Sequence, residues 1–421
     1  MASLCVPGAG AVAAAVPQAR SLARDAAFSK KVCSRSRIHA RILSGKFDAR
    51  RVVMAAVPDV VPPPIENDLE DVLLETGAQI SDNGIVQTFG NDEEALKAAD
   101  SGCAVIEMSH FGRLRVTGDD RLRFLHNQST ADFLPLKDGE GCDTVFVTNT
   151  ARTIDLATAW AMNTAVILLV SPETRHDLIK LLNKYIFFSD KVEVDDITEK
   201  TSYFSIVGPQ SDNVMRQLKL ESLIDKPYGT HVHYTANGAP VTVGVGSGLC
   251  TKGYSFLVST AAAGPVWTSI LKCGALPMGS SAWERLRILQ GRPVPGKELT
   301  DEFNVLEAGL WRTISQTKGC YIGQETVARL ITYNGVKQHL HGVKLTGAVE
   351  PGTILTTRDG VKAGKLTSCT REAPYFGLCY IRKQCGGPGL EIKIGDGSVT
   401  GILVQVPGLA RELSSGSRTV T

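Results

Sequence analysis

The ten cysteines of this chain include no Cys-x-x-Cys pair, and no stretch approaches the ~18 uninterrupted apolar residues of a membrane-spanning helix. The first absence removes the sequence basis for a structural zinc site or a self-contained iron–sulfur cluster, which draw ligand pairs from one short turn, so no metal is predicted. The second predicts no membrane association; the nearest apolar run, Ala165 to Val170, is stopped by Pro172. An excess of either charge is also missing. With 45 Lys+Arg against 43 Asp+Glu and a formal charge of +2, the chain lacks the basic surplus that holds a phosphate backbone, and nucleic acid is not a predicted partner. Val243-Gly244-Val245-Gly246-Ser247-Gly248 is not a six-residue dinucleotide fingerprint and reads as a strand ending in a glycine-rich turn.

What is present is unevenly distributed. Residues 1–55 hold ten basic side chains, Arg20 to Arg51, and two acids, Asp25 and Asp48, and are rich in Ala and Ser. That is the composition of an organelle transit peptide. The first cation, Arg20, follows the only apolar candidate, Ala9 to Val16, which is the wrong order for a secretory signal. Val52-Val53-Met54-Ala55-Ala56 resembles a chloroplast processing site, and Pro58 with Pro62-Pro63-Pro64 makes residues 56–66 a stiff linker. The location predicted is the chloroplast stroma, with the mitochondrion second. The remaining chain carries 35 Lys+Arg against 41 Asp+Glu and is mildly acidic.

A length of 421 residues predicts two or three domains. From about residue 67 to 335, helical periodicity alternates with short apolar strands. Asp119-Asp120 opens one helix and Ser171-Pro172-Glu173 another, and strands are predicted at Ile154 to Trp160 and Ala165 to Val170. From 336 to 412 the helical signal disappears. Six short strands recur there at roughly ten-residue intervals between Gly, Pro and Asp turns, the pattern of a small antiparallel barrel. Residues 413–421 read as a flexible tail, and the fold class is α+β.

Of the eight cysteines beyond the leader, Cys320 stands apart. It lies in Lys318-Gly319-Cys320-Tyr321-Ile322-Gly323-Gln324-Glu325, before a helical stretch from Thr326 to Leu330. Two glycines free the backbone for a tight turn or close ligand approach, and Lys318 with a helix N-terminus favours thiolate. A buried cysteine in a glycine turn is the alternative.

This octapeptide resembles the signature of the folate-dependent proteins of iron–sulfur cluster assembly and repair. They are a branch of the superfamily that includes the aminomethyltransferase, or T-protein, of glycine cleavage. Phe111 to Asp120, Asp301 to Asn304 and Glu307 to Leu310 are similar to further family segments. The resemblance implies an aminomethyltransferase-like folate-binding domain in a ring of subdomains, a C-terminal antiparallel β-barrel, tetrahydrofolate as cofactor, and iron–sulfur client or assembly proteins as partners. It implies Cys320 as the reactive group, with Lys318 biasing it to thiolate and Gln324 and Glu325 positioning its partner. Asp155 matches an acid facing the one-carbon nitrogens of folate. Glu284 and Arg287 lie on a helix similar to the family's pterin-adjacent one, and Tyr321, Gly319 and Gly323 complete the ligand-facing set. Glycine-cleavage aminomethyltransferases carry Gly-Tyr-Thr-Gly-Glu, where this chain has Gly253-Tyr254-Ser255-Phe256 and no acid, which counts against aminomethyl transfer. Two alternatives stay open: a folate-dependent aminomethyltransferase or demethylase, and a non-catalytic scaffold stabilised by folate. Oligomeric state is unconstrained.

Overall fold

Helix α1 (Leu69–Glu75) opens the computed structural model, which describes residues 69–405. The leader, the linker and the tail therefore lie outside the described residues. A hairpin of β1 (Gln79–Ile80) and β2 (Val86–Thr88) and helix α2 (Asp92–Ser101) come next. They are followed by β3 (Ala104–Glu107), β4 (Gly112–Thr117), α3 (Arg121–Gln128), β5 (Glu140–Val147), β6 (Thr153–Ala161) and β7 (Ala165–Val170). The chain continues through α4 (Arg175–Lys184), β8 (Glu193–Asp196), β9 (Thr201–Val207) and α5 (Ser211–Gln217). Next come β10 (His231–Ala236), β11 (Ala239–Val245), β12 (Gly253–Ser259), α6 (Thr260–Lys272), β13 (Leu276–Met278) and α7 (Ser280–Gln290).

Two mixed layers result. One sheet has the order β10-β11-β12-β9-β3-β13 and the other β5-β6-β7-β4-β8. Strand β7, Ala-Val-Ile-Leu-Leu-Val, is buried at all six positions because α3 and α4 cover one face of its sheet and the other faces the neighbouring subdomain core. Its continuous apolar run is what such two-sided burial requires. Each fully buried Leu or Ile contributes about 1.5–3 kcal/mol, so a strand of this composition anchors its sheet. Helix α7 ends where Gly291 adopts φ 77°, a left-handed cap open to glycine at no steric cost.

An irregular stretch from 291 to 323, with one 3-10 turn at Trp311–Thr313, leads to α8 (Gln324–Thr332). The barrel follows: β14 (Gln338–Leu345), β15 (Ile354–Thr357), β16 (Lys362–Cys369), β17 (Phe376–Arg382), β18 (Glu391–Ile394) and β19 (Val399–Val404). These close in the order β14-β17-β16-β15-β18-β19, every pair antiparallel. The α+β class and the C-terminal antiparallel barrel are as the sequence predicts. Among the described residues no helix is long and apolar enough to cross a membrane, and no three His, Cys, Asp or Glu side chains group to hold a metal ion.

Candidate functional site

A cavity of about 260 Å³ opens where the two sheets meet the irregular stretch. Its walls come from the start of β5 (Gly141, Cys142, Asp143), from Leu156 of β6, from Tyr228, and from the β11–β12 turn (Gly248, Leu249, Cys250). The end of α7 and the following turn add Gln290, Arg292 and Pro293, and the irregular stretch closes it with Gly309, Leu310, Arg312 and Thr313.

Asp143 is the carboxylate of this cavity. Tyr228 donates its hydroxyl to Asp143 Oδ1 at 2.6 Å and Thr158 donates to the same oxygen at 2.8 Å. Two donors on one oxygen fix the direction of the carboxylate. Opposite in sign, Arg292 donates from Nη1 to the Gly248 carbonyl at 2.7 Å, which holds the guanidinium against the β11–β12 turn. Gln290 braces the same turn by accepting from the Cys250 and Thr251 amides at 3.0 and 3.2 Å. Arg312 adds an exposed second cation. Leu156, Leu249, Leu310 and Pro293 supply apolar walls. The set suits a flat heterocycle with a hydrogen-bonding edge and an anionic extension. A second cavity of about 330 Å³, between α6 and the β10–β11 hairpin, has one charged side chain, Lys219, and no acid.

None of the ten site residues expected from the sequence lines the Asp143 cavity. Asp155 is fully buried and turned the other way. Its carboxylate accepts from the Ser171 amide and hydroxyl at 2.8 and 2.7 Å and from the Thr174 hydroxyl at 2.7 Å, tying β6 to the turn that opens α4. Burial raises its pKa, while those bonds act to lower it. Side chains alternate along a strand, so the β6 residues that reach the cavity side are Leu156 and Thr158.

Glu284 and Arg287 are likewise a structural tie. Arg287, 1% exposed, donates to Glu284 at 2.7 Å, to the fully buried Glu298 at 3.0 Å and to Ser368 of β16 at 3.0 Å. Glu298 also accepts from Thr367 and Ser368, so α7 and the barrel share one buried ionic cluster. Arg287 further donates to the Arg292 carbonyl at 2.9 Å, and through that bond it positions the arginine that does line the cavity.

Around Cys320 the expected roles are also redistributed. The Lys318 ammonium points inward, donating to the carbonyls of His126, Ser129 and Ala131 at the end of α3, the latter two at 2.7 Å. It lies 4.9 Å from the centre of the Tyr321 ring, a cation–π contact. Its three donors are thus committed to the helix end, and it does not bond the Cys320 thiol. Burial lowers Lys318 to about 8, while the three carbonyl acceptors favour the charged form. Gln324 accepts from the Tyr321 amide at 3.3 Å and closes its own turn, and Glu325 is exposed in the first turn of α8. Gly323 has φ 84°, and a Cβ there would come 2.6 Å from the Thr148 carbonyl, so its role is close packing. Cys320 is exposed. The irregular stretch that carries it also carries Gly309 to Thr313, so cavity wall and signature are one continuous segment. Cys142 lies on the cavity wall and near enough to Lys318 for their charges to interact; burial pushes its thiol up to about 12.

Tyr254 and Ser255, in the departure from the glycine-cleavage pattern, are spent inside the sheet. Tyr254 donates to Asp212 at 2.7 Å and Ser255 to the Gly246 carbonyl at 2.7 Å. The cavity residues missed by sequence reasoning, Asp143, Tyr228, Arg292 and Arg312, come from four separated segments. The available signal was weak: an acid at the head of an apolar strand, and Tyr or Arg flanked by Gly and Pro.

Two helix-covered sheets, one mixed and one antiparallel, with a C-terminal barrel and an acid- and arginine-lined cavity, define an aminomethyltransferase-type fold. The chain belongs to the aminomethyltransferase-like family marked by the GCVT N-terminal domain, whose family model matches residues 81–318. A protein of Arabidopsis thaliana named "Putative transferase At1g60990, chloroplastic" is 54% identical over 357 residues, spanning 84% of this chain and 82% of its own. An aminomethyltransferase of Chlorobium chlorochromatii is 26% identical over 337 residues, 76% of this chain and 91% of its own. The crystal structure of the glycine cleavage system aminomethyltransferase T from Bartonella henselae superposes with a TM-score of 0.73, covering 82% of this chain and 98% of that one at 15% identity. That likeness establishes the fold.

Proposed function

We propose that this protein is a chloroplast folate-binding protein that holds tetrahydrofolate in the Asp143 cavity and supports assembly or repair of iron–sulfur clusters on client proteins through Cys320. The observation that carries the reading is the continuity of one segment, Gly309 to Cys320, which lines the cavity at one end and presents an exposed thiol at the other. Family aminomethyltransferases use tetrahydrofolate, in keeping with a cavity of this polarity. The basic leader and the chloroplastic Arabidopsis relative support the location.

In this reading Asp143 receives hydrogen bonds from the pterin edge, with Tyr228 and Thr158 holding the carboxylate in place. Arg292 and Arg312 face the anionic glutamate portion. Bound folate supplies one-carbon carrier chemistry. Cys320, a single thiol with no second cysteine in its turn, serves as one ligand or one transient bond in contact with an assembly or client protein. The test is rescue of cluster-enzyme activity in cells lacking the protein: wild type restores it and Cys320→Ser does not. Full rescue by Cys320→Ser would remove the thiol from the function. Formation of methylene-tetrahydrofolate from an aminomethyl or N-methyl donor at enzyme-like rates would instead favour a one-carbon transferase.

A further inference from the structure

His126 lies in the last turn of α3 with its side chain 6% exposed, and the signature loop is laid across it. Its Nδ1 is 3.0 Å from Asp132 Oδ1. An Nδ1–H donated to that carboxylate leaves the lone pair on Nε2, and Nε2 makes no hydrogen bond among the described residues. It is directed at the signature loop: a Cβ built on Gly319, the residue before Cys320, would stand 3.5 Å from it. The loop is pinned to α3 on both sides of this point. Lys318 bonds the His126, Ser129 and Ala131 carbonyls, and the Ile322 amide donates to the Asn127 carbonyl at 3.2 Å. Between these anchors Cys320 is exposed and bonded to none of the described residues, on a peptide freed by Gly319.

We infer that His126, oriented by Asp132, is the general base for Cys320, so that the three form a Cys–His–Asp relay assembled by the signature loop and the end of α3. When the Gly319–Cys320 peptide turns inward, the Cys320 S–H bond breaks, its proton passes to His126 Nε2, and the electron pair stays on sulfur as thiolate. The imidazolium so formed is neutralised by Asp132. A buried imidazole with one nitrogen fixed by a carboxylate and the other vacant beside a thiol loop has the parts of an activated nucleophile. The groups facing the ring are Asp132 from the loop after α3 and Lys318 from the signature, with Cys142 of β5 beside Lys318 and held as thiol by burial. Burial first, then the Lys318 charge, lowers the pKa of His126, which keeps the resting ring neutral and able to accept a proton at pH 7. This assigns Lys318 a different part from direct thiolate stabilisation: it pins the loop and keeps the base unprotonated.

The inference rests on the proposed role of Cys320, and its test is separate from that role. Carbamidomethylation of Cys320 by iodoacetamide is followed by site-resolved mass spectrometry from pH 5.5 to 10, with Cys250, also exposed, as internal reference. Wild type is expected to show a midpoint at least one unit below the ordinary ~8.5 of a free thiol. In His126→Gln the midpoint returns to about 8.5 and the pH 7 rate falls about tenfold, while Cys250 is unchanged. Equal rates and midpoints in folded His126→Gln and wild type would overturn the relay. If His126→Gln does not fold, Asp132→Asn, on a partly exposed carboxylate, gives the same reading: a raised midpoint supports the relay and an unchanged one overturns it. Client rescue by Cys320→Ser would sink the functional role and leave the alkylation result standing.

Discussion

Tyr228 hands its phenolic hydrogen to Asp143 Oδ1 at 2.6 Å, joining residues 85 positions apart on two different sheets' approaches to one cavity. Tyr228 sits in the turn before β10 and Asp143 at the head of β5. The bond therefore fixes the carboxylate and links the two segments across the cavity wall. Removing the hydroxyl with Tyr228→Phe leaves Thr158 as the remaining donor to that oxygen among the bonds described above, and tetrahydrofolate affinity is expected to fall about 3–10-fold, measured by calorimetric titration.

Asp155 has a structural part, so its replacement has a structural signature. Asp155→Asn puts an amide NH2 where one of the two acceptor oxygens meets its donors in the buried turn before α4, and is expected to cost about 1–3 kcal/mol of stability in urea unfolding. The folded fraction should bind tetrahydrofolate as wild type does. Selective loss of binding at unchanged stability would return Asp155 to the ligand site.

Arg287→Met strands Glu298 as a buried charge in the cluster that joins α7 to the barrel. The expected cost is about 3–5 kcal/mol. Protease digestion under native conditions should then cut first between α7 and β14, because the barrel loses its ionic tie to the helix.

His110 gives a pH dependence. Its Nδ1 is buried without a hydrogen-bond partner, and burial with the nearby Arg113 charge lowers it to about 4. A histidine with a depressed pKa binds fewer protons folded than unfolded, so stability rises with pH through the window and is lost as pH falls from about 6.5 to about 4. The loss is expected to reach at most about 3 kcal/mol. His110→Gln should flatten the dependence in that window, read as Tm against pH.

The fold was more legible than the site, for reasons that lie in where each kind of information resides. Ala165 to Val170 forms the strand expected of it, since continuous apolar burial is a local property. The barrel announced itself through turn spacing. Asp155 shows the limit: its residue type and strand setting were correct for a ligand-facing acid, but strand alternation together with Ser171 and Thr174 sends its side chain inward, and a one-residue change of face reverses a functional reading. Arg287 was placed on a pterin-adjacent helix by resemblance, whereas the partners that define its part, Glu298 and Ser368, lie 11 and 81 positions away. Asp143, Tyr228 and Arg292 have no common motif at all. Only the convergence of β5, the turn before β10 and the end of α7 makes them one site.

Arg312 is the second cation lining the cavity. It is exposed, so Arg312→Ala is expected to weaken a triglutamyl tetrahydrofolate by up to about fivefold and the monoglutamate less, with the difference fading at high salt.

The most direct test of the account is calorimetric titration of 5-formyl-tetrahydrofolate, a stable reduced folate, into the wild-type protein and the Asp143→Asn variant. A carboxylate that reads the pterin edge through charged hydrogen bonds contributes about 1.5–3 kcal/mol, so binding to Asp143→Asn should be roughly 10–100-fold weaker while its Tm changes little. Equal affinity for the two proteins, or no binding to wild type, would contradict the assignment of this cavity to folate.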